Sequence, residues 1–249
     1  MKENMIALVT GGSSGIGRAI VERLAKGGYS VAFTYNENRN PAIALAENLT
    51  KDGMPVKCYK CDVTSEKQID ELIDAVLKDF GKIDVLVNNA GVASDHLFMN
   101  KTADIFKNTL NVNLIGPFLI SKKVGNLMHE NKSGKIINIA STNGINTYYP
   151  MCVDYDASKA GLISLTHNLA MQFAPYVNVN AIAPGFIATK NEIDAMDQEY
   201  IESETEKILL KRVGKERDVA NLVNFLASDE AGFINNEVIR IDGGLYGSY

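Results

Sequence analysis

Seven short runs of apolar, often β-branched residues recur along the chain: MIALVT (5–10), SVAFTY (30–35), VKCYKCDV (56–63), DVLVNNA (84–90), KIINIAS (135–141), VNVNAIAP (177–184) and EVIRID (237–242). Most are apolar throughout instead of alternating with polar residues, which is the pattern of strands covered on both faces. Between them, apolar residues fall at helical spacing over about 15–27, 41–52, 66–80, 103–130, 155–174 and 216–228. The stretch TSEKQIDELIDAVLKDFG shows the helical signature in full, with a hydroxyl cap, an apolar stripe and a closing glycine. Such βαβα order predicts an α/β fold: one doubly wound parallel sheet of seven strands with helices on both faces. No Pro/Gly/Ser linker or repeat divides the 249 residues, so one domain spanning 1–249 is expected. Residues 186–214 interrupt the rhythm. Acidic and helical in parts, they read as a substrate lid between the sixth and seventh strands.

Charge and cysteine usage exclude several function classes. A formal charge of −5 with dispersed Lys and Arg gives no basic footprint for nucleic acid or an anionic membrane. No apolar run approaches the length of a membrane span. The opening MKENMIALVTGG lacks the apolar core and cleavage site of a signal peptide, so a cytoplasmic location is expected. Cys58 and Cys61 form a C-x-x-C, but on a strand residues three apart point to opposite faces. No second pair exists and Cys152 is remote, so ordinary thiols and no metal site are expected.

The turn VTGGSSGIGRAI (9–20) follows the first strand and opens the first helix. Gly11, Gly15 and Gly17 allow positive φ and close backbone approach, and the helix N-terminus offers free N–H groups to a pyrophosphate. Thr10, Ser13 and Ser14 add hydroxyl donors. A glycine cluster alone is a weak signal, and its place between strand and helix is what strengthens it. Further along, DYDASKAG puts Tyr155 and Lys159 four residues apart, on one helix face. Chance also supplies that spacing, so its meaning depends on the company it keeps.

TGGSSGIG, NNAG at 88–91, Ser141, the Tyr155–Lys159 pair and PG at 184–185 together resemble the short-chain dehydrogenase/reductase family, a Rossmann-like fold, in the family's order along the whole chain. GKIDVLVNNAG, VNAIAPGFIAT and FLASDEAGFINNEVIRIDGG resemble most the family's 3-oxoacyl-(acyl-carrier-protein) reductases. The resemblance implies an NAD(P)H-dependent carbonyl reductase working on 3-oxoacyl thioesters in fatty-acid biosynthesis, with acyl-carrier protein as a partner and a homotetramer as the assembly. Tyr155 would then be the proton donor, Lys159 its electrostatic partner and ribose ligand, and Ser141 a hydrogen-bond donor to the substrate oxygen. Asn113 would hold a water of the proton relay, and Asn88 would brace the central strands. Coenzyme contacts are implied for Gly11, Ser13, Ser14, Gly15, Ile16, Gly17, Tyr35, Asn36, Arg39, Asp62, Val63, Asn89, Ala90, Gly91, Tyr155, Lys159, Pro184, Gly185, Ile187 and Thr189. An ammonium about 4 Å from a phenol stabilises the phenolate by roughly 4 kcal/mol at an effective dielectric of 20, which predicts a lowered Tyr155 pKa.

NADP(H) is favoured over NAD(H). The second strand ends in FTYNENRN, with Tyr35 and Asn36 where NAD-specific members carry an acid, and Arg39 can meet a 2′-phosphate. Glu37 comes slightly late, and Ser14 stands where NADP-preferring members often have a basic residue. The spacing from Ser141 to Tyr155 is one residue longer than these reductases commonly show, within a loop made bulky by Tyr148, Tyr149, Met151 and Cys152. The turn FAPYVNVNAIAPG is one residue shorter and lacks the usual basic residue, while Lys122, Lys123, Lys132 and Lys135 are expected on the carrier-docking side. Two other readings stay open: a short-chain alcohol, polyol, steroid or diketone dehydrogenase with the same tetrad, and a non-catalytic nucleotide sensor. Sensors of this kind usually lose the tyrosine or the lysine.

Overall fold

The computed structural model describes residues 5–145 and 149–245, and it contains one seven-stranded sheet. Its strands are β1 (Ile6–Val9), β2 (Ser30–Tyr35), β3 (Val56–Lys60), β4 (Val85–Asn88), β5 (Gly134–Ile139), β6 (Val177–Pro184) and β7 (Val238–Ile241). All neighbours pair parallel, in the order β3-β2-β1-β4-β5-β6-β7. Each strand falls within or beside an apolar run of the sequence. Period-two alternation sends successive side chains to opposite faces. Ala7 and Val9 join one core and Leu8 the other, as do Val85 and Val87 against Leu86.

One core lies beneath α1 (Gly15–Lys26), α2 (Arg39–Lys51) and α9 (Glu216–Ala227), through residues such as Ile20, Leu24, Leu45 and Val223. The other lies beneath α3 (Glu66–Phe80), α5 (Gly116–Glu130) and α6 (Val153–Phe173), through Ile69, Val76, Val124 and Phe173. The ends of α3 follow the sequence logic. The Ser65 hydroxyl accepts from the Gln68 N–H, and Gly81 closes the helix at φ 83°.

The predicted helix over 103–130 is not continuous. α4 (Ala103–Leu110) passes through a π turn, Asn111–Ile115, into α5. Residues 186–214 hold two short helices, α7 (Lys190–Ala195) and α8 (Gln198–Glu206), and their base is closed by an isolated bridge between Ile187 and Gly214. Among the described residues no helix is long and apolar enough to cross a membrane. Tyr148, expected in the loop before α6, lies outside the described residues.

Candidate active site

The strand order reverses between β1 and β4, so their carboxyl ends open a crevice, the usual ligand position in open α/β sheets. A cleft of about 490 Å³ fills it. Gly11, Ser13, Ser14, Gly15, Ile16 and Gly17 line one wall, with Tyr35, Asn36, Asp62, Val63, Asn89, Ala90, Gly91, Ile187 and Thr189 around the rest. Arg39, Ser141, Tyr155, Lys159, Pro184 and Gly185 are not part of that lining. Gly185 packs instead on Asp242 and donates its N–H to the Ile241 carbonyl.

The glycine turn fits a pyrophosphate. Gly11 sits at φ 66°, and a Cβ on Gly17 would come within 2.1 Å of the Gly11 carbonyl oxygen. The first turn of α1 carries no acidic residue, and the Ser14 hydroxyl makes no cap bond, leaving N–H and O–H donors for an anion. Thr10 has a different task from the one expected. Its hydroxyl accepts from the N–H groups of Asn89 (2.9 Å) and Ala90 (3.0 Å), tying the glycine turn to the end of β4. The Asn89 amide donates back to the carbonyls of Thr10 and Gly11. Asn88 braces the sheet as the sequence suggests, donating to Asn138 Oδ1 (2.8 Å) and Ser121 Oγ (2.9 Å).

Tyr155 and Lys159 share the first turns of α6, and the ammonium lies 5.5 Å from the centre of the phenol ring. Lys159 Nζ donates to the Ile139 carbonyl at 2.7 Å, which anchors it to β5. A Cβ on Gly91, a lining residue, would stand 3.7 Å from that ammonium, so Lys159 lies just behind the cleft wall. Burial lowers the Lys159 pKa to about 8. Burial also pushes the Tyr155 phenol upward, and the hydrogen bond from Ser141 pulls it back only in part. This corrects the expectation of a lowered phenol: within the protein alone, desolvation outweighs the Ser141 hydrogen bond. Ser141 stands just beyond β5 and caps the turn 142–144. Gly144 seats that turn on α6, since a Cβ there would meet the Lys159 carbonyl carbon at 2.6 Å. The sequence motifs gave no hint of that contact.

Asn113 lies in the π turn and is fully buried. Its side chain exchanges two 2.8 Å bonds with the Val92 backbone and donates to Ser158 Oγ at 3.0 Å. Four residues on, Pro117 has no N–H to give the Asn113 carbonyl. The i→i+4 bond therefore cannot form there, in keeping with the π turn, and π turns recur at functional sites.

At the end of β2, Arg39 lies in a recess beside the main cleft, lined also by Tyr35, Asn36, Glu37 and Lys60. Lys60, at the last position of β3, is a second cation that the motif reading missed. On the substrate side, Tyr200 of α8 stacks edge-on with Phe186 at 6.1 Å. Burial and the charges of Glu204 and Asp95 raise its pKa. The Cys152 thiol donates to Asp95 Oδ1 at 3.0 Å, and burial with that contact pushes it up to about 12. Cys61, raised to about 11 by burial, is likewise held as a thiol.

The four lysines singled out in the sequence lie on α5 and around the start of β5. Lys132 and Lys135 flank the start of β5, the sheet edge opposite Ser141. Lys135 is buried, and Lys123 pairs with Asp70 and Glu66 of α3.

A family model described as enoyl-(acyl carrier protein) reductase matches residues 11–246. A 3-oxoacyl-(acyl-carrier-protein) reductase of Staphylococcus epidermidis is 39% identical over 244 residues, covering 98% of this chain and 99% of its own. The enzyme of that name from Aquifex aeolicus is 36% identical over 245 residues, covering 98% of each. A crystal structure described as a "putative gluconate dehydrogenase" from Agrobacterium tumefaciens superposes with a TM-score of 0.91 at 29% identity, covering 97% of this chain and 95% of its own. Sheet order, glycine turn and full-length similarity agree, and the chain belongs to the short-chain dehydrogenase/reductase family of oxidoreductases.

Proposed function

We propose that the protein is an NADPH-dependent reductase of 3-oxoacyl thioesters, presented by acyl-carrier protein in fatty-acid biosynthesis. The observation that carries this reading is the meeting of Ser141, Tyr155 and Lys159 beside a cleft that fits a dinucleotide. The names of relatives 36–39% identical over nearly the full chain support the substrate class. A bound nicotinamide supplies the hydride. Tyr155, protonated because of its burial, donates a proton to the carbonyl oxygen, and Ser141 hydrogen-bonds the same oxygen. Lys159 offsets the charge left on the phenol and meets the ribose hydroxyls. Asn113 holds the water that returns the proton. Arg39 and Lys60 favour a 2′-phosphate, against Glu37 in the same recess.

The segment 186–214 acts in this reading as the lid over the substrate. We also infer a cytoplasmic homotetramer, supported by the apolar exposure of Phe98, Met99, Ile115 and Phe118. Light scattering at four times the chain mass tests the assembly.

A second reading, oxidation of a polyol or sugar acid by the same residues, draws support from the gluconate dehydrogenase likeness and from the acidic lid. Steady-state consumption of NADPH and NADH across acetoacetyl thioesters and free ketones separates the two, with gluconate and polyols assayed in reverse. The proposal expects thioester reduction with NADPH. Polyol oxidation without any thioester turnover would replace it with the second reading.

A further inference from the structure

Lys101 has no part in the chemistry above, yet its side chain is 3% exposed and that of its partner Asp154 is 0% exposed. An ammonium has three donors, and all three are used here. They go to the Ser94 carbonyl, to the Met151 carbonyl at 3.1 Å and to Asp154 Oδ1 at 2.7 Å. Each acceptor belongs to a different segment: the loop after β4, the loop before α6, and the first turn of α6. The other Asp154 oxygen accepts from the Thr109 hydroxyl of α4 at 2.6 Å. Two more bonds join the loops to each other, His96 N–H to the Met151 carbonyl (3.2 Å) and Cys152 to Asp95.

This arrangement is a poor way to gain stability. Two buried charges must shed their water, and an apolar pair of similar volume often holds a core at least as well. What the pair does provide is direction. The ammonium fixes three segments at defined angles, and Asp154 immediately precedes Tyr155. Hydrogen bonds from Lys101 and Thr109 outweigh burial and keep the Asp154 carboxyl below its usual range, so the pair is ionic. None of these groups lines the coenzyme cleft.

We propose that Lys101 is a positioning residue: it locks the loops at 94–96 and 149–152 to the first turn of α6 and so aims the Tyr155 hydroxyl at the substrate carbonyl. The proposal rests on the catalytic role given to Tyr155 above. Its action is separate from coenzyme binding, and it works on the substrate side alone.

The test uses the full-length protein with Lys101→Met and with the double variant Lys101→Met/Asp154→Leu, which removes both buried charges and keeps a fold measurable if the single variant unfolds. Misplacement of about 1 Å lowers turnover by up to about a hundredfold, so kcat for the ketone is expected to fall at least about tenfold in both variants. NADPH affinity by fluorescence titration should stay within about twofold, and the double variant should regain the wild-type melting temperature without regaining kcat. Hydrogen–deuterium exchange should speed up over 94–97 and 150–155. Wild-type kcat and KM in the double variant would overturn the proposal, as would a parallel loss of coenzyme binding. If wild-type protein reduces no carbonyl at all, the reading of the reaction fails. Exchange then decides the pin by itself: faster exchange at the two loops supports it, and unchanged exchange overturns it.

Discussion

The Lys159 ammonium faces the ring of Tyr155 from 5.5 Å and is moored at 2.7 Å to the Ile139 carbonyl of β5. Its charge therefore reaches the phenol through space, from a fixed point on the sheet. If Tyr155 is the proton donor, Tyr155→Phe lowers carbonyl reduction by about 10²–10⁴-fold. NADPH affinity should change by less than about twofold, because the ring stays in place. A variant turning over at the wild-type rate counts against the mechanism.

The buried ammonium also makes stability depend on pH. Burial lowers the Lys159 pKa to about 8 from the ordinary lysine value of 10.5, so between these values the unfolded chain holds a proton that the folded one lacks. Stability then rises with pH across that window, and burial of the charged form destabilises the fold below it. Lys159→Met should remove this rise, read as the difference between wild-type and variant urea midpoints at pH 7.5 and 9.5. If reduction uses the ammonium, kcat/KM of wild type should fall above pH 8 by about tenfold per unit. A profile flat to pH 10 contradicts that assignment.

In the proposed reading coenzyme choice falls on Arg39 and Lys60, which share a recess with Glu37. Charge-assisted bonds to a phosphate contribute about 1.5–3 kcal/mol each, so Arg39→Ala or Lys60→Ala should weaken NADPH binding about tenfold or more. NADH binding should be nearly unchanged. Equal losses for both coenzymes would place the cations outside the 2′-phosphate site.

Gly17→Ala brings a methyl within 2.1 Å of the Gly11 carbonyl oxygen, a backbone atom that cannot rotate away. Overpacking of this kind costs about 1–3 kcal/mol or more. The melting temperature should drop by several degrees and NADPH affinity by more than about tenfold. Unchanged binding would show that the turn is not the pyrophosphate cradle.

The sheet was legible because each strand is an apolar run bounded by turn residues, and the coenzyme cleft because its glycines sit between β1 and α1. The π turn at Asn111–Ile115 was hidden, since apolar spacing over 103–130 suits an unbroken helix; Pro117 was its one written clue. The Tyr155 direction was missed because burial depends on packing that no local motif records. Lys101 escaped notice for a related reason: Ser94, Met151 and Asp154 stand 7, 50 and 53 residues from it in the chain.

Ile187 and Gly214 meet in one isolated bridge and Ile208 makes a second with Leu245, so the segment is tied to the body at its base and again near its far end. The stretch between those ties, 196–206, should tolerate exchange or change of length without shifting β6 or α9, because the cost of loop closure grows only slowly with length. If that stretch is the substrate lid, transplanting 196–206 from a relative with a known alcohol should carry that relative's preference across, with coenzyme affinity measured alongside as the invariant.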